Sequence, residues 1–243
     1  MATKKSTTVV DKESKVDIPQ DITKCLFFQR LPYRLTEEQW NFIKAVWNKK
    51  NIGVFVNARA GSSKTTLAVG MAMLMAYEYK IYKNIYYIIS PCEEDKLGFV
   101  PGSIEDKSAM YMEPLRQALV NWGFDPDKCI ASDTNMDSVK NGEAIIRAIP
   151  HTFLRGYDID NAIVICEEAQ NYRLHDLKKT LTRIHDDCKA IIIGHDGQVD
   201  LKYPADSGFI KYLMAGKSQE FIEVVELTEN FRGKLSNWAD EVR

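Results

Sequence analysis

The chain has no pair of closely spaced cysteines. Its five, Cys25, Cys92, Cys129, Cys166 and Cys188, are scattered and odd in number. That excludes a zinc ribbon, a thioredoxin-type dithiol and a disulfide framework, and it reads as reduced thiols in a cytoplasmic protein. The four histidines, His151, His175, His185 and His195, have no metal-ligand spacing. Long hydrophobic runs are missing too. The longest, around Ala68 to Tyr77, is about half of the ~20 residues that a bilayer crossing takes, so no membrane partner is expected. Neither charge is in excess: 32 Lys and Arg stand against 34 Asp and Glu, for a net −2. Any binding of a polyanion must therefore come from a local surface built by the fold. There is no internal repeat, low-complexity core segment or Pro-rich linker. What is present, 45% hydrophobic and 27% charged residues over 243 positions, is the balance of an ordinary soluble globular chain with room for one large domain or two small ones.

Met1 to Gln20 is rich in Ser, Thr, Lys and Asp and reads as a flexible tail without the apolar stretch of a secretion signal. From residue 21 onward a single domain is expected. Thr36 is a plausible N-cap for an amphipathic helix whose apolar positions are Trp40, Ile43, Ala45, Val46 and Trp47. Val54 to Val56 reads as a short buried strand, and Thr66 to Tyr79 as a helix. Unbroken apolar runs at Ile85–Ile89, Ala162–Cys166 and Ala190–Gly194, with a fourth candidate at Val224–Leu227, mark strands buried on both faces. Helical stretches at about Met112–Trp122, Leu174–Ile184 and Gly208–Met214 lie between them. This alternation predicts an α/β fold with an open, mostly parallel sheet and helices on both faces. Cys92 to Gly102 reads as a loop at the carboxyl end of a strand, the edge where such sheets bind ligands. Tyr86 and Tyr87 could stack on bases but read better as core.

Ala58-Arg59-Ala60-Gly61-Ser62-Ser63-Lys64-Thr65 follows a strand and opens a helix. Small residues there let successive N–H groups point at phosphate oxygens, a lysine neutralises the β and γ phosphates, and the following hydroxyl ligates Mg²⁺. Ala60, Gly61, Ser62, Ser63, Lys64, Thr65 and Thr66 form the expected nucleotide-binding set, helped by the positive end of the helix. Ala58 and Ser63 stand where the pattern has glycine, and Ser63 is the more serious change because glycine there eases a tight turn.

About a hundred residues on, the apolar strand Ile163–Cys166 runs into Glu167-Glu168-Ala169-Gln170. Two adjacent acids at the end of a buried strand are costly unless they serve a cation or sit in a solvated cleft. Glu167 is assigned to hold Mg²⁺ through water, with Thr65, and Glu168 to orient and polarise an attacking water. Gln198, after a further strand, is placed within reach of a γ-phosphate, and Arg232 at the end of Leu227-Thr228-Glu229-Asn230-Phe231-Arg232 suits the charge of phosphoryl transfer.

In order, Ala60–Thr65, Leu97–Gly102, Arg155-Gly156, Glu167–Asn171, Leu181–Ile184, Gly194 with Gln198–Leu201, and Ser207-Gly208 resemble the PhoH-like ATPases over about Leu35 to Arg232. The chain is most similar to a short, phage-type member. The resemblance implies a P-loop NTPase related to the first RecA-like domain of superfamily one helicases, with ATP and Mg²⁺ as cofactors and action on single-stranded RNA or DNA. It also implies that Gln39 reads adenine and that Arg232, in Asn230-Phe231-Arg232, contacts the γ-phosphate. Glu167 replaces the family's Asp, and His195 stands where an Asp normally follows Gly194.

Three functions are weighed: an ATPase coupled to nucleic acid, an ATP-binding regulatory module with little turnover, and a small-molecule kinase. The kinase lacks an Arg-rich lid, and paired acids suit water activation better. Because a single RecA-like sheet fills the folded region, a neighbouring copy in a closed ring, such as a hexamer, is expected to cover the cleft.

Overall fold

The structure of the chain, a computed structural model, describes residues 18–90 and 104–242. The stretch read as a tail lies outside them up to residue 17, as does the whole Cys92 to Gly102 loop. The described residues contain six strands: β1 (Gly53–Ala58), β2 (Asn84–Ile89), β3 (Ile146–Pro150), β4 (Ala162–Cys166), β5 (Lys189–Gly194) and β6 (Ile222–Leu227). They form one sheet in the order β3-β2-β4-β5-β1-β6, with every neighbouring pair parallel. The open parallel sheet expected from the apolar runs is therefore what forms. β3 was not anticipated. It is an edge strand whose apolar run is broken by exposed Arg147, as the solvated side of an edge permits.

The helices are α1 (Glu37–Trp47), α2 (Lys64–Met73), α3 (Ile104–Asn121), the single turns α4 (Pro126–Cys129) and α5 (Met136–Lys140), α6 (Leu174–Leu181), α7 (Gly208–Gly216) and α8 (Lys234–Glu241). α2 starts two residues before its sequence-based beginning and passes into a π turn at Leu74–Glu78. None among the described residues is long and apolar enough to cross a membrane. Thr36 caps α1 as expected, and it does so reciprocally. Its hydroxyl accepts from the Gln39 N–H at 3.4 Å, and Gln39 Oε1 accepts from the Thr36 N–H at 3.1 Å, which satisfies two amides that the helix start would otherwise leave open.

Side chains alternate across each strand, so β1 sends Val54 and Val56 into one core and Phe55 into the other. The first core is closed by α1, α2 and α3 through residues such as Ile43, Leu67, Met71 and Leu119. The second is closed by α6 and α7 through Leu177, Phe209 and Leu213. Tyr86 and Tyr87 are buried in these layers. The chain thus leaves β1 towards α2 on one face and β5 towards α7 on the other. Because β1 and β5 are neighbours, their carboxyl ends part around a crevice, the usual ligand position of an open parallel sheet.

The seating of α2 depends on Gly70. A Cβ at this position would lie 2.2 Å from the Trp122 ring, and Trp122 is fully buried with its indole N–H donating to the Thr66 carbonyl at 2.6 Å. Gly70→Ala gains about 1 kcal/mol of helix propensity but overpacks a rigid ring, which costs about 1–3 kcal/mol. The clash wins, and a urea melt should show Gly70→Ala to be the less stable protein.

Candidate functional site

β1 ends at Ala58, in register with Leu227 of β6, and the next amide, that of Arg59, donates to the Leu227 carbonyl at 3.0 Å. The chain then curls through Ala60–Ser63 into α2. Two residues in the curl are left-handed, Gly61 at φ +75° and Ser63 at φ +67°. Glycine adopts this conformation freely, whereas a residue with a Cβ does so at a cost of about 1–2 kcal/mol. Ser63 therefore takes up the turn that the glycine-based pattern calls for, under strain. Gly61 is required for space as well. A Cβ there would stand 2.4 Å from Asn230 Oδ1 and 2.8 Å from Arg232 Cγ, while the Phe231 N–H donates to the Gly61 carbonyl at 3.0 Å. The segment after β6 is thus laid over the crest of the loop, and the stem of Arg232 rests on it.

Lys64, the first residue of α2, is buried, with its Nζ 3.8 Å from Glu168 Oε1. The Thr65 hydroxyl donates to Glu167 Oε1 at 2.8 Å. The four side chains come from the first turn of α2 and the turn after β4, about a hundred residues apart in the chain, and the sheet brings them together. Glu167 is buried. Loss of solvent, and then the neighbouring Glu168 carboxylate, push its pKa up to about 7 against the opposing pull of Lys64 and Thr65. Among the described residues its Oε2 lacks a hydrogen bond of good geometry, as do the buried Ser62 hydroxyl and the Tyr87 hydroxyl, and the Tyr87 hydroxyl is near enough to Glu167 to lower its pKa in part. Unpaired buried polar atoms are costly, and oxygen donors left open beside a threonine hydroxyl suit a hard divalent cation.

Glu168 also has a left-handed backbone, φ +48°, which turns its side chain out of the buried strand so that it is 45% exposed. One carboxylate oxygen is pinned: the buried Gln170 donates through Nε2 to Glu168 Oε2 at 2.5 Å. The other end of the same amide accepts from the His195 N–H at 3.0 Å. Gln170 thus ties the exit of β4 to the exit of β5, and Gly194 admits it, since a Cβ there would lie 3.0 Å from Gln170 Oε1. A second tie follows at once. Asn171 donates to Asp200 Oδ2 at 3.0 Å and accepts from the Asp200 N–H at 2.8 Å.

Other expected residues are placed differently. Gln198 lies exposed in the turn after β5, where its backbone N–H donates to the His195 carbonyl at 3.2 Å, and no contact among the described residues brings its side chain to Lys64 or the acids. The glutamine that lies against Glu168 is Gln170, a residue that the sequence reading leaves without a role. The available signal was a glutamine two residues past the second acid, close enough to fold back on it. Gln39 is buried behind the loop, not open beside it. Its Oε1 caps α1 and its Nε2 donates to the Ser62 carbonyl at 3.3 Å, so both ends of the amide are engaged. Ala60 is in the loop, and the Thr66 carbonyl is held by Trp122.

Two outcomes test this geometry. Without metal, Glu167 stays protonated in the folded state from its ordinary carboxyl range up to about 7, while the unfolded chain loses the proton near 4.5. The stability this group contributes is complete below the lower value and lost as pH rises through the upper one. Glu167→Gln should therefore flatten the fall in stability across that window and be the more stable protein at pH 8, by on the order of 3 kcal/mol, as read by urea melts in EDTA. Ser63→Gly should release the backbone strain and raise the melting temperature by about 2–4 °C for each kcal/mol gained.

Comparison with known proteins places this arrangement. The family model described as PhoH-like protein matches residues 33–241. A PhoH-like protein of Bacillus subtilis (strain 168) is 33% identical over 183 residues, covering 74% of this chain and 54% of that protein. Protein PhoH of Escherichia coli (strain K12) is 29% identical over 194 residues, covering 78% and 51%. The chain spans about half the length of these curated relatives. Among solved structures it is similar to the Pif1 helicase from Candida albicans, with a TM-score of 0.40, 18% identity, and coverage of 82% of this chain and 41% of that one. A Bacteroides Pif1 helicase in complex with ADP-AlF3 and ssDNA gives a TM-score of 0.38, 16% identity, and coverage of 83% and 44%.

Proposed function

The chain belongs to the PhoH-like protein family, and on that premise we propose that it is a Mg²⁺-dependent ATPase, forming ADP and phosphate and coupling the reaction to single-stranded RNA or DNA. The observation that carries this reading is the convergence of Lys64, Thr65, Glu167 and Glu168 at the carboxyl edge of the sheet. The amides of Ala60 to Thr65 would receive the phosphates at the start of α2, where the helix adds partial positive charge. Lys64 would exchange Glu168 for the β and γ phosphates. Thr65 and Glu167 would give up their mutual hydrogen bond to hold Mg²⁺, Glu167 through water. Bound there, Mg²⁺ neutralises charge on the phosphates.

Glu168 is the residue for the attacking water. Its Oε2 is held by Gln170, which leaves Oε1 at the mouth of the crevice to orient a water and accept its proton. Arg232, with its stem on Gly61, would bring a guanidinium to the crest of the loop, where charge develops on the transferred phosphoryl group. Gln39 contributes by bracing the loop from behind. The 45% exposure of Glu168 means that something must cover the crevice for water to be excluded, and our reading is a second copy in a homo-oligomeric ring. The strained Ser63 favours a second reading, an ATP-binding module with little turnover.

Phosphate release from ATP with Mg²⁺ separates the two. Glu168→Gln should bind a fluorescent ATP analogue as the parent does and release phosphate about 10²-fold more slowly or worse, while Lys64→Ala should lose both binding and turnover. If the parent releases phosphate no faster than Lys64→Ala, with or without single-stranded nucleic acid, the ATPase reading fails and the module stands.

A further inference from the structure

We infer that single-stranded nucleic acid binds on a strip of the carboxyl edge formed by the turn after β3, the start of α6 and the loop after β5, with Phe153 and Tyr203 stacking on bases and Arg155 and Lys202 meeting phosphates. This rests on the proposed coupling to nucleic acid and gives it a location.

Three exposed apolar side chains lie on these segments: Phe153, Leu174 and Tyr203 are 50%, 40% and 62% exposed. The segments are joined by packing. The turn at His151–Phe153 places His151 against the Tyr172 ring at 4.9 Å. Arg173 forms a bridge with Ser207, and the Gly208 N–H donates to the Tyr172 carbonyl at 2.8 Å, which brings the loop after β5 against the entry to α6. Tyr203 opens the 3₁₀ turn Pro204–Asp206 in that loop, with Lys202 over its ring at 5.7 Å.

Each exposed aromatic side chain has a cation close to it in the chain: Arg155 lies two residues after Phe153 and Lys202 directly before Tyr203, and both are exposed, as are Arg173 and Lys178 at the entry to α6. Of the acids on these segments, Asp176 pairs with His175 at 3.1 Å and Asp200 accepts from Asn171, while Asp196 and Asp206 are exposed in the loop after β5, so the cations are grouped around the aromatics rather than in net excess. Aromatic faces interleaved with cations fit a single strand, whose unpaired bases can stack, better than a duplex, whose bases are already stacked. The strip is also tied to the carboxylates. Asn171–Asp200 and Glu168–Gln170–His195 join the same two loops, so a strand that shifts either loop also moves the hydrogen bond on Glu168.

The test is fluorescence anisotropy at low salt with labelled 12-mers of oligouridylate and oligodeoxythymidylate. The proteins are the parent, Phe153→Ala/Tyr203→Ala, Arg155→Ala/Lys202→Ala and, as a control, Leu26→Ala, which alters a residue exposed elsewhere. Binding of a fluorescent ATP analogue is measured in parallel. The aromatic double variant should weaken oligonucleotide binding about ten-fold or more. The basic double variant should make the salt dependence shallower by about 0.7 in log–log slope for each lost phosphate contact. The control and all ATP-analogue affinities should stay at parent values. If the parent binds the 12-mers and the aromatic variant binds them equally well, the strip is wrong and coupling to nucleic acid survives. If the parent binds the ATP analogue but no 12-mer, or binds only vesicles of anionic lipid, the strip and the coupling both fall and the nucleotide site stands. Failure to bind the ATP analogue would count against the underlying reading instead.

Discussion

A buried carboxylate beside the start of a helix organises this molecule. Glu167 sits at the end of a strand enclosed on both faces, where the Thr65 hydroxyl, the charge of Lys64 and the nearby Tyr87 hydroxyl favour its ionised form less than burial disfavours it. In such surroundings an acid either keeps its proton or acquires a cation. The remainder of the site can be understood as what is needed to hold that carboxylate, and the half-exposed one after it, opposite a curled loop. The loop must turn tightly enough to point α2 at them, and the sheet must set β4 one strand away from the crevice between β5 and β1.

That arrangement is enforced from several sides. Gln39 holds the loop from the α1 side, Asn230 to Arg232 cover its crest, and Trp122 grips the first turn of α2 through the Thr66 carbonyl. Apart from Arg232, whose guanidinium is proposed to act at the phosphates, these contacts involve no group with a part in the chemistry. They matter because the strained backbones at Ser63 and Glu168 persist only where their surroundings over-determine them. Strain at Ser63 after β1 and at Glu168 after β4, held by the contacts behind them, fits the pre-organised binding loop proposed above.

Gln170 shows how the two halves of the edge communicate. One amide binds a carboxylate oxygen after β4 with its donor and a backbone amide after β5 with its acceptor. Any displacement of the β5 loop must either break that bridge or turn Glu168. With Asn171 and Asp200 beside it, the bridge gives surface events a short physical route to the residue proposed to handle water, without a change in the sheet.

Periodicity and spacing alone determined the parallel sheet, the strand–loop–helix around Lys64 and the acidic pair after β4, because buried parallel strands are written as unbroken apolar runs and phosphate loops as small residues before Lys-Thr. The edge strand β3 was hidden by Arg147, since an edge needs no continuous run. Tertiary structure alone decided which glutamine does what. Gln39, Gln170 and Gln198 are chemically equal in sequence, and only the packing puts Gln170 between two strand exits, Gln39 behind the loop and Gln198 in solvent. Hydrogen-bond partners distant in the chain leave no periodic trace. The same holds for Ser63, where the sequence suggests a missing glycine and the backbone nevertheless adopts the left-handed conformation open to glycine.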